Sequence, residues 1–132
     1  MPRKSIQPPN VPDSGSRLFS QVLVSGKMVF ISAQYPVDKD NKLVGGDDFA
    51  AQCDQVYKNF QACLEAAGAT WHNVVKMNVY ITNRDGGLNA SRTTREKYFP
   101  KGEPVPAATT VVVQGFSNPN FKIVVDGMAI LE

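Results

Sequence analysis

PVPAATTVVVQGFSNPNFKIVVDGMAI, residues 104–130, holds two runs rich in β-branched residues, separated by a loop of Gly, Ser, Asn and Pro. Runs of this kind bounded by turn formers read as β-strands. The first covers residues 107–114 and the second residues 121–131. Side chains alternate across a strand, so Ala108 and Thr110 share a face, as do Val124 and Asp126, with about 6.5 Å between the members of each pair. The expectation is that both pairs border one pocket.

Working back along the chain, residues 18–24 and 28–33 are short apolar–polar segments separated by Ser25-Gly26-Lys27, the pattern of a hairpin. Residues 34–46 read as a loop. From 47 to 67, Phe49, Cys53, Val56, Tyr57, Phe60, Cys63, Leu64 and Ala67 recur at helical steps, while Gln52, Gln55, Lys58, Asn59 and Glu65 fall on the other face. Asp47 or Asp48 suits the start of this helix, and Gly68 suits the position past its end. Residues 74–82 alternate cleanly, with Val75, Met77, Val79 and Ile81 on one side. Asn83-Arg84-Asp85-Gly86-Gly87 reads as a turn, and residues 88–99 as a second, more polar helix ended by Pro100 and Gly102. The order ββαβαββ argues an α+β sandwich, with two helices on one face of a mixed sheet. Residues 1–16, rich in Pro and Ser, read as an irregular arm before a single domain at 17–132. Two helices leave the other sheet face bare, so self-association is expected there.

Composition narrows the function classes. The chain has 132 residues, a formal net charge of +2 and no basic block, so nothing points to nucleic acid. No apolar run is long enough to span a membrane, and the N-terminus lacks the apolar core of a secretory signal; a cytoplasmic location is expected. Cys53 and Cys63 lie ten residues apart in the first helix, about 15 Å along its axis, too far to bridge within it. With one histidine, His72, and no paired-cysteine motif, no metal cluster is expected. Trp71 and His72 fall in a connection and read as surface or interface residues.

Several landmarks now combine. Phe19-Ser20-Gln21, Val29-Phe30-Ile31-Ser32-Ala33-Gln34, the spacing Gln52, Gln55, Asn59 followed by Leu64-Glu65-Ala66-Ala67-Gly68-Ala69, then Tyr98-Phe99-Pro100 and the closing segment occur in this order. Together they resemble the Rid family, the reactive intermediate deaminases also called YjgF or endoribonuclease L-PSP proteins, whose fold is like that of one class of chorismate mutase. The resemblance implies a homotrimer with clefts between subunits and hydrolysis of enamines or imines of 2-amino acids without any cofactor. It also implies a substrate-gripping Arg at the position of Ala108, a Glu at Val124, a Tyr at Phe19 and an Asn at Arg92.

Those departures shape the candidate site. Asp126 and Thr110 are the catalytic candidates. Phe19, Ser32, Ala33, Gln34, Arg92, Ala108 and Val124 are the substrate-binding candidates. Arg92 reads either as a relocated anion clamp or as a solvated helix residue. Asp126 reads either as a general base or as a structural hydrogen-bonding group in an apolar strand. With Phe19, Ala108 and Val124 in place of polar groups, the cleft suits a less polar ligand. The expected function is a small-molecule hydrolase or deaminase acting on an enamine- or imine-type metabolite. The alternatives are tautomerisation or hydrolysis of an unsaturated or aromatic metabolite in the same cleft, or a non-catalytic binding module.

Overall fold

The computed structural model describes residues 2–15 and 18–132. The elements are β1 (Arg3–Ile6), β2 (Val22–Ser25), β3 (Met28–Gln34), α1 (Phe49–Ala66), a short 3₁₀ turn (Trp71–Asn73), β4 (Val74–Ile81), α2 (Arg84–Tyr98), β5 (Ala107–Val112) and β6 (Ile123–Ile130). The six strands form one sheet in the order β1-β2-β3-β6-β4-β5. Neighbours are antiparallel except β4 and β5, which are parallel and joined through α2. The α+β architecture with two helices on a mixed sheet is the one expected.

Helix α1 forms where its apolar stripe and its caps agree. The Asp48 carboxylate accepts from the backbone N–H groups of Ala50 and Ala51, a cap worth about 1 kcal/mol. At the other end Gly68 takes φ 77°, and the N–H groups of Gly68 and Ala69 return to the carbonyls of Glu65 and Leu64. Cys53, Val56, Tyr57, Phe60, Cys63 and Leu64 pack onto Val29, Ile31, Met77, Val79, Ile81, Ile123 and Val125 in the core. Burial pushes the Cys53 thiol up to about 11 and that of Cys63 to about 12. Trp71, expected at the surface or an interface, joins Tyr57, Phe60, Tyr98 and Phe99 in an aromatic cluster with centroids 5.2–5.7 Å from its own.

Three local readings differ from the sequence expectation. Residues 3–6 of the N-terminal arm are a strand, because Arg3–Ile6 pairs with Ser25–Val22 of the exposed hairpin edge. Val11 buries further along the arm, and Gln7 ties that stretch together through Pro12 and Ser14. Residues 84–87 are the first turn of α2 and not a loop: Asn83 accepts from the Gly86 N–H as the cap. Gly87 is glycine for lack of room, since a Cβ there would stand 2.8 Å from Ile81 Cδ1 and 2.9 Å from Phe49 Cζ. Finally, the β4–β6 register shifts between Val74 and Lys76, so Val74 is buried and Val75 is turned out.

The face without helices carries Met28, Phe30, Ile130 and Val111, each more than a third exposed. Lys76, Asn78, Tyr80 and Asp126 lie among them on the same side of the sheet.

Candidate active site

Strand β3 loses register against β6 between Ile31 and Gln34, and this irregularity builds one wall of a cleft. Ser32 is fixed by its N–H to the Gln21 carbonyl at 3.0 Å and by its hydroxyl, which donates to the Ser20 carbonyl. Gln34 is buried and donates to Gln21 Oε1 at 2.9 Å and to the Ser32 carbonyl at 3.0 Å. Gln34 therefore positions the wall, while Ser32 and Ala33 face the opening.

The opposite wall comes from the loop between β5 and β6. Asn118 Oδ1 accepts from the Asn120 N–H at 2.9 Å, and the Phe121 N–H donates to the Asn118 carbonyl at 3.1 Å. The turn sets Phe121 against Tyr35, with centroids 5.2 Å apart. Asn41 closes a third side from a tight turn, in left-handed backbone at φ 63°. Asp38 Oδ1 holds that turn by accepting from the N–H groups of Asp40 and Lys42.

These walls enclose about 460 Å³, lined by Phe19, Ser32, Ala33, Tyr35, Asn41, Ser117, Asn118 and Phe121. None of these eight side chains carries a formal charge. An adjoining cavity of about 450 Å³ shares Phe19, Ala33, Tyr35 and Asn41 and adds Gln21 and Gln34, with Asp13, Lys39 and Asp40 on its lining.

The walls beyond β3 are loops, and α1 holds them. Gln52 and Asn59, expected on its solvent face, are buried. Gln52 Nε2 donates to the carbonyls of Gly46 and Asn120, and its Oε1 accepts from the Lys122 N–H at 2.8 Å. Asn59 Nδ2 donates to the carbonyls of Tyr35 and Val37, while Gln55 donates to Asn59 Oδ1. The spacing Gln52, Gln55, Asn59 is thus a set of amide clamps on the two loops that form the cleft. Tyr35, Asn41, Ser117, Asn118 and Phe121 were not singled out from the sequence. The signals that could have found them are that amide spacing and the Asn118-Pro119-Asn120 turn.

The other candidates lie elsewhere. Asp126 is on the helix-free face, where its two oxygens accept from Asn78 Nδ2 at 2.8 Å and the Tyr80 hydroxyl at 3.0 Å. Burial first, then the bond to Asp126 and its charge, raise the Tyr80 phenol above its ordinary value. Val124 is buried two residues away, paired with Tyr80. Ala108 and Thr110 pair with Met77 and Val79, whose side chains point to the helices. Lys76 reaches Thr109 on the opposite face at 2.9 Å, as this register requires. The two pairs therefore lie on opposite faces of the sheet, against the expectation of one shared pocket. Crossing from an antiparallel to a parallel neighbour sets this register, which alternation within each strand does not reveal. Arg92 lines a separate cavity beside the end of α2. Phe19, Ser32 and Ala33 are brought together with Gln34 behind them; Arg92, Thr110 and Asp126 do not meet within one protomer.

Among the described residues no group of three or more His, Cys, Asp or Glu could hold a metal ion, and no helix is long and apolar enough to cross a membrane.

The profile of the endoribonuclease L-PSP family matches residues 12–131. A RutC family protein of Pyrococcus horikoshii is 34% identical over 94 residues, which is 70% of this chain and 73% of the relative. A 2-iminobutanoate/2-iminopropanoate deaminase of Dermatophagoides farinae is 28% identical over 115 residues, 86% of each chain. Among solved structures, a Rid family protein of unknown function from Yersinia pestis superposes with a TM-score of 0.88 at 28% identity, over 98% of this chain and 100% of its own.

Proposed function

Since the chain belongs to the endoribonuclease L-PSP (Rid) family, we propose that it is a small-molecule enzyme that hydrolyses the C=N bond of an imine, or of the enamine that tautomerises to it, on a substrate without a carboxylate. The observation that carries this reading is the uncharged lining of the cavity between Ser32 and Phe121, with Asp13, Lys39 and Asp40 confined to the adjoining cavity. Family members that act on 2-imino acids must hold an anion, whereas this cleft offers aromatic faces and neutral hydrogen-bonding groups.

The arrangement fits such chemistry. Phe19, Tyr35 and Phe121 supply flat apolar walls for a conjugated body. Asn41 and Asn118 can orient a polar end and a water molecule. Water adds to the imine carbon, the nitrogen takes up protons and leaves as ammonia, and a carbonyl remains. An imine carbon is electrophilic enough that positioning supplies much of the acceleration. Asp126 and Thr110 line neither cavity of this cleft in their own chain, so either can act on substrate only across an interface with another copy. Met28, Phe30, Val111 and Ile130 on the helix-free face support such an assembly. In this reading the protein is a homotrimer.

The test is ammonia release from imines generated in situ, one set bearing a carboxylate (2-iminobutanoate) and one set neutral and aromatic. Acceleration of the neutral set, lost in Phe121→Ala, supports the reading. Acceleration confined to 2-iminobutanoate would overturn it. Light scattering should give about 43 kDa, three times the 14.4 kDa chain; a monomer would remove the interface argument.

A further inference from the structure

The cavity that adjoins the uncharged one has the N-terminal arm as its far wall. It encloses about 450 Å³ and shares Phe19, Ala33, Tyr35 and Asn41 with its neighbour, so the two open side by side. Pro12, Asp13 and Ser14 reach it from the arm, and Lys39 and Asp40 from the turn that Asp38 holds. The arm is fastened in place. The Pro12 carbonyl accepts from Gln7 Nε2 at 3.1 Å and from Gln21 Nε2 at 3.0 Å, and Asp13 Oδ1 accepts from the Gly15 N–H at 2.7 Å.

Two features of this lining call for a hydrogen-bond donor that the chain does not supply. Gln34 is 2% exposed and commits its Nε2 to Gln21 and the Ser32 carbonyl, yet its Oε1 accepts no hydrogen bond among the described residues. That oxygen is not sealed off, since among the described residues the fully occluded side-chain atoms without a partner belong to Tyr57 and Ser91. It opens on the adjoining cavity, which Gln34 lines, and not on the first, which it does not. The second feature is charge. Asp13 and Asp40 stand against Lys39, and none of the three is ion-paired among the described residues, so the lining holds one carboxylate in excess. Solvated carboxylates are ordinary on a surface. A buried acceptor left open beside them, in a cavity of ligand size, is not explained that way.

We propose that the adjoining cavity is a subsite for a protonated amine, so that the substrate is an imine with an ammonium group at the far end of a flat, uncharged body. This rests on the C=N reading of the first cavity. The C=N carbon lies between Ser32 and Phe121, and the body passes Phe19 and Tyr35, whose ring faces also favour a cation. The ammonium donates to Gln34 Oε1, with Asp13 and Asp40 beside it. Water adds to the imine carbon, ammonia leaves, and the carbonyl product keeps its ammonium tail.

The experiment is calorimetry on the full chain with 4-(aminomethyl)benzamide, 4-methylbenzamide and 4-carbamoylbenzoate, the amide standing in for the C=N group. The ammonium probe should bind at least about fivefold tighter than the methyl probe and the carboxylate probe most weakly, with the spread narrowing as salt rises. Asp13→Asn and Asp40→Asn should each weaken the ammonium probe about threefold or more and leave the methyl probe unchanged, while Lys39→Gln should strengthen the ammonium probe. Asp13→Asn keeps an acceptor for the Gly15 N–H, so the arm stays in place. Equal binding of the ammonium and methyl probes, or ammonium binding that ignores all three substitutions, overturns the proposal and leaves the reading of the first cavity standing. Ammonium binding that depends on Asp13 and Asp40, with no turnover of any imine, upholds the amine subsite and removes the C=N reading instead. The proposal also fails if no probe binds the folded wild type.

Discussion

Asp126 gives the sharpest separation between a structural and a catalytic carboxylate. Both its oxygens are engaged, one by the Asn78 amide at 2.8 Å and one by the Tyr80 hydroxyl at 3.0 Å. Hydrogen bonds to a charged group contribute about 1.5–3 kcal/mol each, and the half-buried setting puts these at the lower end. Asp126→Ala removes both acceptors, but water can reach part of the gap, so the cost is about 2–3 kcal/mol. Asp126→Asn behaves differently. Its amide oxygen still accepts from Tyr80, and Asn78 can turn its own oxygen toward the new NH₂. Only the charge assistance is lost, about 1 kcal/mol. For a chain of this size the melting temperature should fall by about 3–5 °C in Asp126→Asn and about 6–15 °C in Asp126→Ala. Near-ultraviolet titration, with Tyr80→Phe as the subtraction, gives an independent reading. Without the Asp126 charge Tyr80 should ionise at lower pH, yet still above the ordinary phenol value of about 10, because burial is the larger cause. If Asp126→Asn leaves both the melting temperature and the Tyr80 titration unmoved, the triad does not form in solution. If it abolishes turnover at unchanged stability, the carboxylate works on substrate and not on the sheet.

Gln52→Ala should cost about 2–4 kcal/mol, since it strands the carbonyls of Gly46 and Asn120 and the N–H of Lys122 around a buried position. It should also weaken any cleft ligand, read by calorimetry on the folded variant. Gly127→Ala would place a Cβ 2.5 Å from the Lys76 carbonyl oxygen and 3.0 Å from Phe60 Cζ. Because the first obstacle is backbone, chemical denaturation should report a loss near the upper end of about 1–3 kcal/mol. His72 is raised above the ordinary imidazole value by Glu103 first and then by Glu132. Its contribution is therefore fully present below about pH 6.5 and fades as pH rises through the higher folded value. His72→Gln should lower the melting temperature at mildly acidic pH and converge with wild type under alkaline conditions; a constant difference would show that the ion pairs do not matter.

Sequence patterns expose some of these features and hide others for physical reasons. The stripe from Cys53 to Leu64 is legible because every member buries the same way. Gln52 and Asn59 break that logic. Their polarity suggests solvent, but an amide with backbone partners can be as buried as a leucine. The Gly86-Gly87 pair looks like a turn because loop glycines and close-packed helix glycines are the same letter. Val75 shows that alternation carries no marker for a bulge. Arg3–Ile6 has no apolar rhythm and is a strand only because β2 offers an edge. In the cleft, Phe19, Ser32 and Ala33 were legible as candidates because they stand in motif-bearing segments. Tyr35 and Phe121 were not, because a loop residue gains its role from the tertiary clamp that places it.

The clamps explain how this cleft can lack charge without loss of fold. The β5–β6 loop and residues 35–37 are held by neutral amides on α1, so the cavity between Ser32 and Phe121 bears no structural charge and an added one should be tolerated. Ala108 tests this. It is exposed on the edge strand, so Ala108→Arg should change stability by no more than about 0.5 kcal/mol. Because Ala108 lines neither cavity of the Ser32–Phe121 cleft in its own chain, a guanidinium there reaches that cleft only in a neighbouring copy. A bidentate pair with a substrate carboxylate should then lower KM for 2-iminobutanoate by about 10–100-fold, the equivalent of a charge-assisted bond. Dilution to monomers should abolish the gain while leaving the chain folded. A gain that survives dilution would place the carboxylate site within one chain. No gain in the intact oligomer would mean that the cleft excludes carboxylates by shape and not merely by want of a cation.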